Sequence, residues 1–464
     1  MAEAITGLKA ADLARFHEAF DGQVITPADD GYDDARRVWN AMIDKRPAVV
    51  VRPAGVADVV AAVRFGREHD LVIAIRGGGH SMAGHSTCDG GIVIDLSKMR
   101  GVTVDPGRQT ARANGGALLS ELDRAGQEHG LVCPVGVVGH TGVAGLTLGG
   151  GMGRLQRHWG FTIDNLRAVE LVTADGRHVT ASERENPDLF WGMRGAGANF
   201  GVVTALEFQL HPFGPNLNRG LFFYPAERVH ELWAMYREWM ASAPDELMAT
   251  FNLMRALPEE DFPPGLGGGP VIGIGVNHSG DPANVERDIA PLRSIPPAVS
   301  GSVESQPYVD IQTAGDEAMS WGHRVYTKGA FADDLRPGTL DALVAHVATV
   351  EGDGSLSIWS QGGAIGRLPE DAMAFTGRSA RFQLDAESFW DDPAEDERQM
   401  GWARRTMAIV EPDAGTGQYV NSLSDVSGNA ATVVYGDAKQ DRLVALKRAW
   451  DPDNVFRLNH NIRP

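Results

Sequence analysis

The stretch "RGGGHSMAGHSTCDGGIVIDL", residues 76–96, decides the fold. It follows one apolar run, "LVIAI", and closes on another, "GIVIDL". Three consecutive glycines, Gly77, Gly78 and Gly79, come directly before His80. A residue without Cβ lets another group come up against the main chain. Bare amides in such a turn suit a flat or anionic group. Upstream, "AVVVRPAG" reads as a short strand ending at Pro53. Val56, Val59, Val60 and Val63 then recur at helical spacing before "LVIAI" returns as a second buried strand. The entry is β-α-β. Beyond it, "GIVIDL", "GVTVD" and "QTARAN" are predicted strands joined by short turns, so the sheet is expected to turn mixed or antiparallel.

Leu118, Leu119 and Leu122 mark a helix ahead of a second glycine segment, 136–153. "VELVTADGRHVTA" is a predicted hairpin turning at Asp175-Gly176, and "GVVTALEFQLHP" reads as one long strand. After Pro212 glycine signatures thin out. Segments 229–241, 340–350 and 394–408 look like amphipathic helices, with "GPVIGIGVNH", "RVYTKGAFA" and "SLSIWSQGGAIGRL" as strand-like runs between them. The tail "DRLVALKRAWDPDNVFRLNHNI" predicts a helix stopped at Asp451-Pro452 and then an extended end. The expected class is α+β in three segments: a cofactor domain over 1–213, a substrate domain with an antiparallel sheet over 214–425, and a segment over 426–464 that returns to the first domain.

The length, 464 residues, suits two domains. A net charge of −19 argues against nucleic acid and anionic membrane as partners, because both are bound through a lysine and arginine surplus. Two cysteines give no disulfide framework. The start lacks a basic and apolar leader pattern; Leu13, Phe16 and Phe20 read as a helix face instead, and no apolar run is long enough to span a bilayer. A cytoplasmic protein is expected. The 56 glycines cluster at 77–91, 136–153, 192–201 and 264–269, so they are placed rather than compositional.

Several chemistries drop out. A dinucleotide G-x-G-x-x-G fails at Gly195-Ala196-Gly197-Ala198-Asn199-Phe200, where the last glycine comes one position late at Gly201, and it fails from Gly77 and Gly149 too. There is no phosphate-binding G-x-x-x-x-G-K-[ST] and no G-x-S-x-G nucleophile turn. His80, His85, Cys88, Cys133 and His140 fall in the glycine segments, but no C-x-x-C or H-E-x-x-H pair supports a metal, and none is expected.

Seven pieces in one order carry a resemblance: "RGGGHS", "GHTGVAGLTLGGGMGRL", "FTIDNL", "ELVTADG", "DLFWGMRGAGANFGVVT", "YVN" and "DPDNVFRLNHNI". Together the chain resembles the berberine-bridge-enzyme-like FAD-linked oxidases of the wider vanillyl-alcohol-oxidase group. The resemblance implies a two-subdomain FAD-binding unit of the PCMH type. It places Arg76, Gly77, Gly78, Gly79, Ser81, Gly84 and His85 along the FAD pyrophosphate, with FAD bonded covalently to His80. Val138, Gly139, His140, Thr141, Gly142, Gly145, Leu146, Gly149, Gly150, Gly151 and Gly153 match the other diphosphate-and-flavin loop. Asp164, Asn165, Val202, Val203, Asn421, Asn459 and Asn461 match further cofactor positions. Tyr419 matches a tyrosine over the flavin and is the candidate catalytic residue. Some relatives carry a second flavin bond from a cysteine in a "CP" pair. Cys133 stands in such a pair, one residue nearer the following histidine than in those relatives, so a single bond is expected, with Cys133 a small buried thiol near the flavin and a second link as the alternative.

On the substrate side, Arg324 and Tyr326 lie in a predicted strand, and alternation along "SLSIWSQGG" puts Ser357, Trp359 and Gln361 on one face. Several relatives have a glutamate base on that strand; this chain has none there. The implied reaction takes a hydride from an activated C–H of a small molecule, a carbinol first, onto the flavin, with dioxygen reoxidising it to give peroxide. The alternatives are a dehydrogenase of the same fold using another acceptor and a catalytically silent flavin-binding protein.

Overall fold

The computed structural model describes residues 8–256, 266–295, 302–426 and 430–464. The glycine cluster at 264–269 therefore begins outside the described residues. Val49–Arg52, the helix Val56–Glu68 and Ile73–Arg76 form the β-α-β entry. Val59, Ala62 and Val63 are buried on the helix face that meets the strands. Ile92–Asp95 does not extend the sheet outward. It inserts between the first two strands, parallel to both, and Gln23–Ile25 pairs antiparallel at the edge. Ile92, Val93 and Ile94 are wholly buried, as a central parallel strand requires.

The next strands leave for a second sheet, which corrects the expectation of one continuing sheet. Val102–Asp105, Thr110–Asn114, Val202–Gln209, Leu166–Val172 and His178–Ser182 form five antiparallel strands in that spatial order. The physical reason lies in the patterning. Val102–Asp105 alternates half-buried and exposed positions, which fits a sheet with one wet face rather than the buried centre of the first.

A seven-stranded antiparallel sheet follows, in the order Glu304–Pro307, Asn216–Pro225, Pro270–His278, Leu247–Arg255, Asp353–Ser360, Phe382–Trp390 and Arg324–Ala332. One face is covered by the helices Val229–Ser242, Pro337–Val347 and Asp396–Val410, through a core that includes Phe251, Ile274, Leu356, Ile358, Leu384 and Ala386. The other face carries polar side chains, Ser357, Gln383 and Asp385 among them. The helix Asp437–Trp450 returns to the second sheet's core through Leu443 and Leu446. There Lys447 and Asp451 form a fully buried pair at 2.6 Å, with Lys447 also donating to the carbonyls of Asn199 and Phe456.

Candidate active site

The first sheet delivers the opening glycines. Gly79 has φ +75°, a left-handed conformation that a side chain would strain. A Cβ on Gly78 would come 2.2 Å from the Gly142 amide nitrogen, so the two glycine segments meet backbone to backbone. His80 stands at this junction. Its ring stacks on Trp39 at 4.7 Å between centroids, and its Nε2 lies 2.6 Å from His140 Nδ1. Burial, with His140 beside it, pushes the His80 pKa down to about 3, so the ring is neutral.

Around the turn, buried polar atoms go without protein partners. Both ring nitrogens of His85, Ser86 Oγ, Thr87 Oγ1 and Asn461 Oδ1 make no hydrogen bond within the described residues. Uncompensated buried polar groups are costly and call for a polar occupant. An ideal Cβ on Gly145, on the short helix Val143–Leu148, meets no atom within 4 Å, leaving that backbone open. This set fits a large, polar, partly aromatic cofactor such as FAD.

The structure commits several predicted contacts to the protein itself. The Arg76 guanidinium donates to the carbonyls of Ala35 at 2.5 Å and Ser86 at 3.3 Å, bracing the glycine loop from behind. Asp164 accepts from the Phe161 amide and pairs with buried Arg378 at 2.5 Å. Asn165 donates to the carbonyls of Trp159 and Phe161 and takes a 2.5 Å contact from His211. The side chains of these three residues thus hydrogen-bond within the protein. Each is buried beside backbone groups that need its hydrogen bonds. Asn459 Nδ2 donates to Ala198 O, and Val202 and Val203 pair with Val172 and Leu171. Ser81 Oγ takes the His85 amide, and the Gly84 amide bonds Ser81 O. Thr141 and Val138 close a turn, and the Gly139 amide donates to Asp316 Oδ1 at 2.6 Å.

The second glycine segment packs against the "YVN" segment. The amides of Gly151 and Met152 both donate to Tyr419 Oη at 3.2 Å, and Asn421 Nδ2 donates to it at 3.1 Å and to Leu146 O at 2.9 Å. A Cβ on Gly149 would strike Asn421, one on Gly150 would strike Phe375, and one on Gly153 would strike the Val135 carbonyl. This is a buried turn. Burial raises the Tyr419 pKa despite its three N–H donors, so the phenol keeps its proton. Cys133 is 2 % exposed, in an apolar cluster with Leu119, Leu122, Leu131 and Val135, and burial raises its thiol pKa well above the ordinary value.

Register on the seven-stranded sheet settles which side chains meet. Ser357 pairs across with Asp385 and Asn252, and Trp359 with Gln383 and Thr250. Gly329 stands opposite Asp385, and Thr327 opposite Glu387. Directly opposed residues share a face. The face turned away from these helices therefore carries Asn252, Ser357, Trp359, Gln383, Asp385 and Glu387. Gln361, just past the strand end, is 2 % exposed with both amide atoms unpartnered. Arg324 and Tyr326, in contrast, have the opposite parity and lie under the helix Asp396–Val410. Arg324 pairs with Asp396 at 2.5 Å, and the Tyr326 hydroxyl donates to Asp425 while accepting from Arg404. By the two-residue period of the strand, these two stand on the opposite face from Ser357 and Asp385.

The sequence reading missed Asp385 and Glu387. Their signal was "FQLDAESFW", where Gln383, Asp385 and Glu387 alternate with apolar residues. Burial raises both carboxyls, Asp385 to about 7, and Glu387 to about 8 with Asp385's charge adding to the effect. They titrate as a pair. The Asp385 carboxyl sits over Gly329, where a Cβ would fall 2.8 Å from its Oδ1 and 3.6 Å from Ser422. Its charge acts on Tyr419, which ties this face to the glycine turn. Among the described residues no group of three or more histidine, cysteine or acidic side chains could hold a metal ion, and no helix is long and apolar enough to cross a membrane.

Residues 47–182 match the family described as an FAD binding domain, and residues 418–463 match the berberine and berberine-like family. The chain is 31 % identical to (R)-6-hydroxynicotine oxidase of Paenarthrobacter nicotinovorans, across 96 % of this chain and 97 % of that one. The chain belongs to the berberine-bridge-like FAD-linked oxidoreductases. An FAD-linked oxidoreductase of Dictyostelium discoideum is 30 % identical over 97 % of this chain and 96 % of its own. The crystal structure of 6-hydroxy-D-nicotine oxidase from Arthrobacter nicotinovorans superposes with a TM-score of 0.85 at 28 % identity, covering 96 % of this chain and 98 % of that one. A carbohydrate oxidase from Microdochium nivale shares the fold, with a TM-score of 0.87 at 22 % identity over 98 % and 100 % of the two chains. This berberine-bridge-like protein is accordingly an FAD-dependent oxidoreductase of α+β, PCMH-type architecture.

Proposed function

We propose that this protein oxidises a carbinol C–H of a small molecule, with FAD as the hydride acceptor and dioxygen as the terminal oxidant. The carrying observation is the Asp385–Glu387 pair on the sheet face turned away from the helices, where burial pushes the carboxyls up to about 7 and about 8. A general base works best when its pKa lies near the operating pH. Here one carboxylate would accept the substrate hydroxyl proton as the C–H bond breaks. Ser357, Trp359, Gln383 and Gln361 would hold the substrate by hydrogen bonds and apolar contact. Tyr419, kept protonated and fixed by three N–H donors, would orient the reacting groups rather than act as the base. The bound flavin supplies a two-electron acceptor, which no side chain can replace.

In this reading residues 1–213 and 426–464 form the cofactor half and 214–425 the substrate half. FAD lies along the two glycine segments and is attached to His80 alone, with Cys133 remaining a thiol. The protein works in the reducing cytoplasm, where its two buried free cysteines stay unpaired. A second reading has support in one observation: neither Asp385 nor Glu387 has a cationic partner among the described residues, so an amine-bearing substrate could supply one. The relative named for hydroxynicotine points the same way.

A panel of alcohols and of amines, mixed anaerobically with the holoprotein, tests both readings. Bleaching of the flavin by alcohols with one peroxide released per turnover in air supports the first. Bleaching by amines alone supports the second. Turnover without peroxide would assign a dehydrogenase that passes its electrons elsewhere.

A further inference from the structure

His80 and His140 form a directional chain that ends on a main-chain carbonyl. His140 Nε2 lies 3.3 Å from the carbonyl oxygen of Asp316, a group that can only accept. That nitrogen therefore donates, and an imidazole carrying a single proton there presents a bare Nδ1. The 2.6 Å contact to His80 Nε2 then requires the proton on His80 Nε2. His80 is left with its lone pair on Nδ1, which makes no hydrogen bond to any described residue. Trp39 fixes the plane of the ring by stacking at 20°, while its indole N–H donates to Met319 O and its amide to Gly79 O. Asp316 holds the far end twice, by its carbonyl to His140 and by its carboxylate to the Gly139 amide. The tautomer of a histidine in the glycine turn is thus set from the substrate half of the chain.

We propose that His140 is the positioning residue that makes His80 a nucleophile at Nδ1, accepting the His80 Nε2 proton as the bond to FAD forms. The inference rests on the reading that His80 carries the flavin. In the balanced reaction, the His80 Nδ1 lone pair forms the N–C bond to the flavin's 8-methyl carbon, and that carbon loses one hydrogen. The His80 Nε2 proton passes to His140 Nδ1. The electron pair released from the methyl C–H enters the flavin ring and is then taken by dioxygen, which leaves as hydrogen peroxide with the two hydrogens. A proton acceptor on His80 Nε2 is needed because the alkylated ring would otherwise stay cationic where burial disfavours charge, and His140 holds that proton only until it leaves with the peroxide.

Apoprotein from flavin-depleted cells, incubated with FAD in air, gives the test. Covalent incorporation is followed by flavin retained after acid precipitation, and the linked nitrogen is read by NMR of the isolated flavin peptide. Wild type should couple at His80 Nδ1. His140→Ala should bind FAD but couple about 100-fold more slowly, at the lower end of general-base contributions, and at a mixture of the two ring nitrogens. His140→Gln keeps an acceptor for the His80 N–H without being able to take the proton, so it should couple slowly yet only at Nδ1. Coupling of His140→Ala at the wild-type rate, or a wild-type link at Nε2, overturns the proposal; the second holds even if the variants fail to fold. Wild type that binds FAD and never couples would instead overturn the covalent reading itself.

Discussion

The two halves of the site are built by opposite means. The side proposed to hold FAD is made of backbone: Gly78 against Gly142, Gly79 in a left-handed conformation, and Gly149 and Gly150 pressed beneath Asn421 and Phe375. The side proposed to take the substrate is made of side chains standing on a sheet, with Ser357, Trp359, Gln383, Asp385 and Glu387 brought together by register across strands. Backbone sites tolerate almost no added atom but are indifferent to charge. The sheet face tolerates size changes better and depends on where each proton sits.

The largest effect is expected at the joint between the halves. Arg378, 1 % exposed, pairs with Asp164 and donates to Ile365 O at 2.9 Å. Arg378→Met leaves Asp164 buried without its cation and should cost about 3–5 kcal/mol of stability, read by chemical denaturation. A loss below 1 kcal/mol would mean that water reaches the pair. On the backbone side, Gly78→Ala puts a Cβ 2.2 Å from the Gly142 amide. The overpacking should cost about 3 kcal/mol and lower FAD retention during purification; unchanged flavin content would show that the two segments can slide apart.

Smaller effects sharpen the sheet side. Gly329→Ala adds a methyl 2.8 Å from Asp385 Oδ1 and should displace that carboxyl without unfolding the strand. A kcat about tenfold lower, equivalent to about 1.4 kcal/mol of barrier, with unchanged melting temperature is expected. Equal kcat would remove Asp385 from the chemistry. The smallest effect is expected at Cys133. Cys133→Ala should leave flavin content and absorbance unchanged, and wild-type Cys133 should alkylate fully after denaturation. A flavin-bearing peptide that holds Cys133 would establish a second bond.

The same contrast explains what the sequence could tell. Glycine turns are local, and "RGGGHS" and "GHTGVAGLTLGGGMGRL" pointed to the cofactor side before any pairing was known. The helices and most strands followed from apolar periodicity, as at Val56–Glu68 and Pro270–His278. Strand parity cannot be anchored by one strand read alone. The face taken by Arg324 and Tyr326 was not legible, because nothing near them in sequence says which face the helix Asp396–Val410 covers. Ser357 and Trp359 were placed with each other but not with Asp385, 28 positions on, until pairing was known. Trp39, Asp316 and Arg378 carry no sequence signal at all, because their partners lie 41, 176 and 214 positions away.

The division of labour itself is tested by anaerobic flavin reduction with an oxidisable substrate, followed from pH 5 to 10 in wild type and Glu387→Gln. Because burial raises the pair, protons occupy it at low pH and the base becomes available as pH climbs through about 7 to about 8. The wild-type rate should rise across that window and level off above it. Glu387→Gln should hold the same amount of FAD yet bleach about 100-fold more slowly or worse, with the rise altered. Reduction of Glu387→Gln at the wild-type rate and with the wild-type pH profile would contradict the assignment of proton transfer to the sheet face.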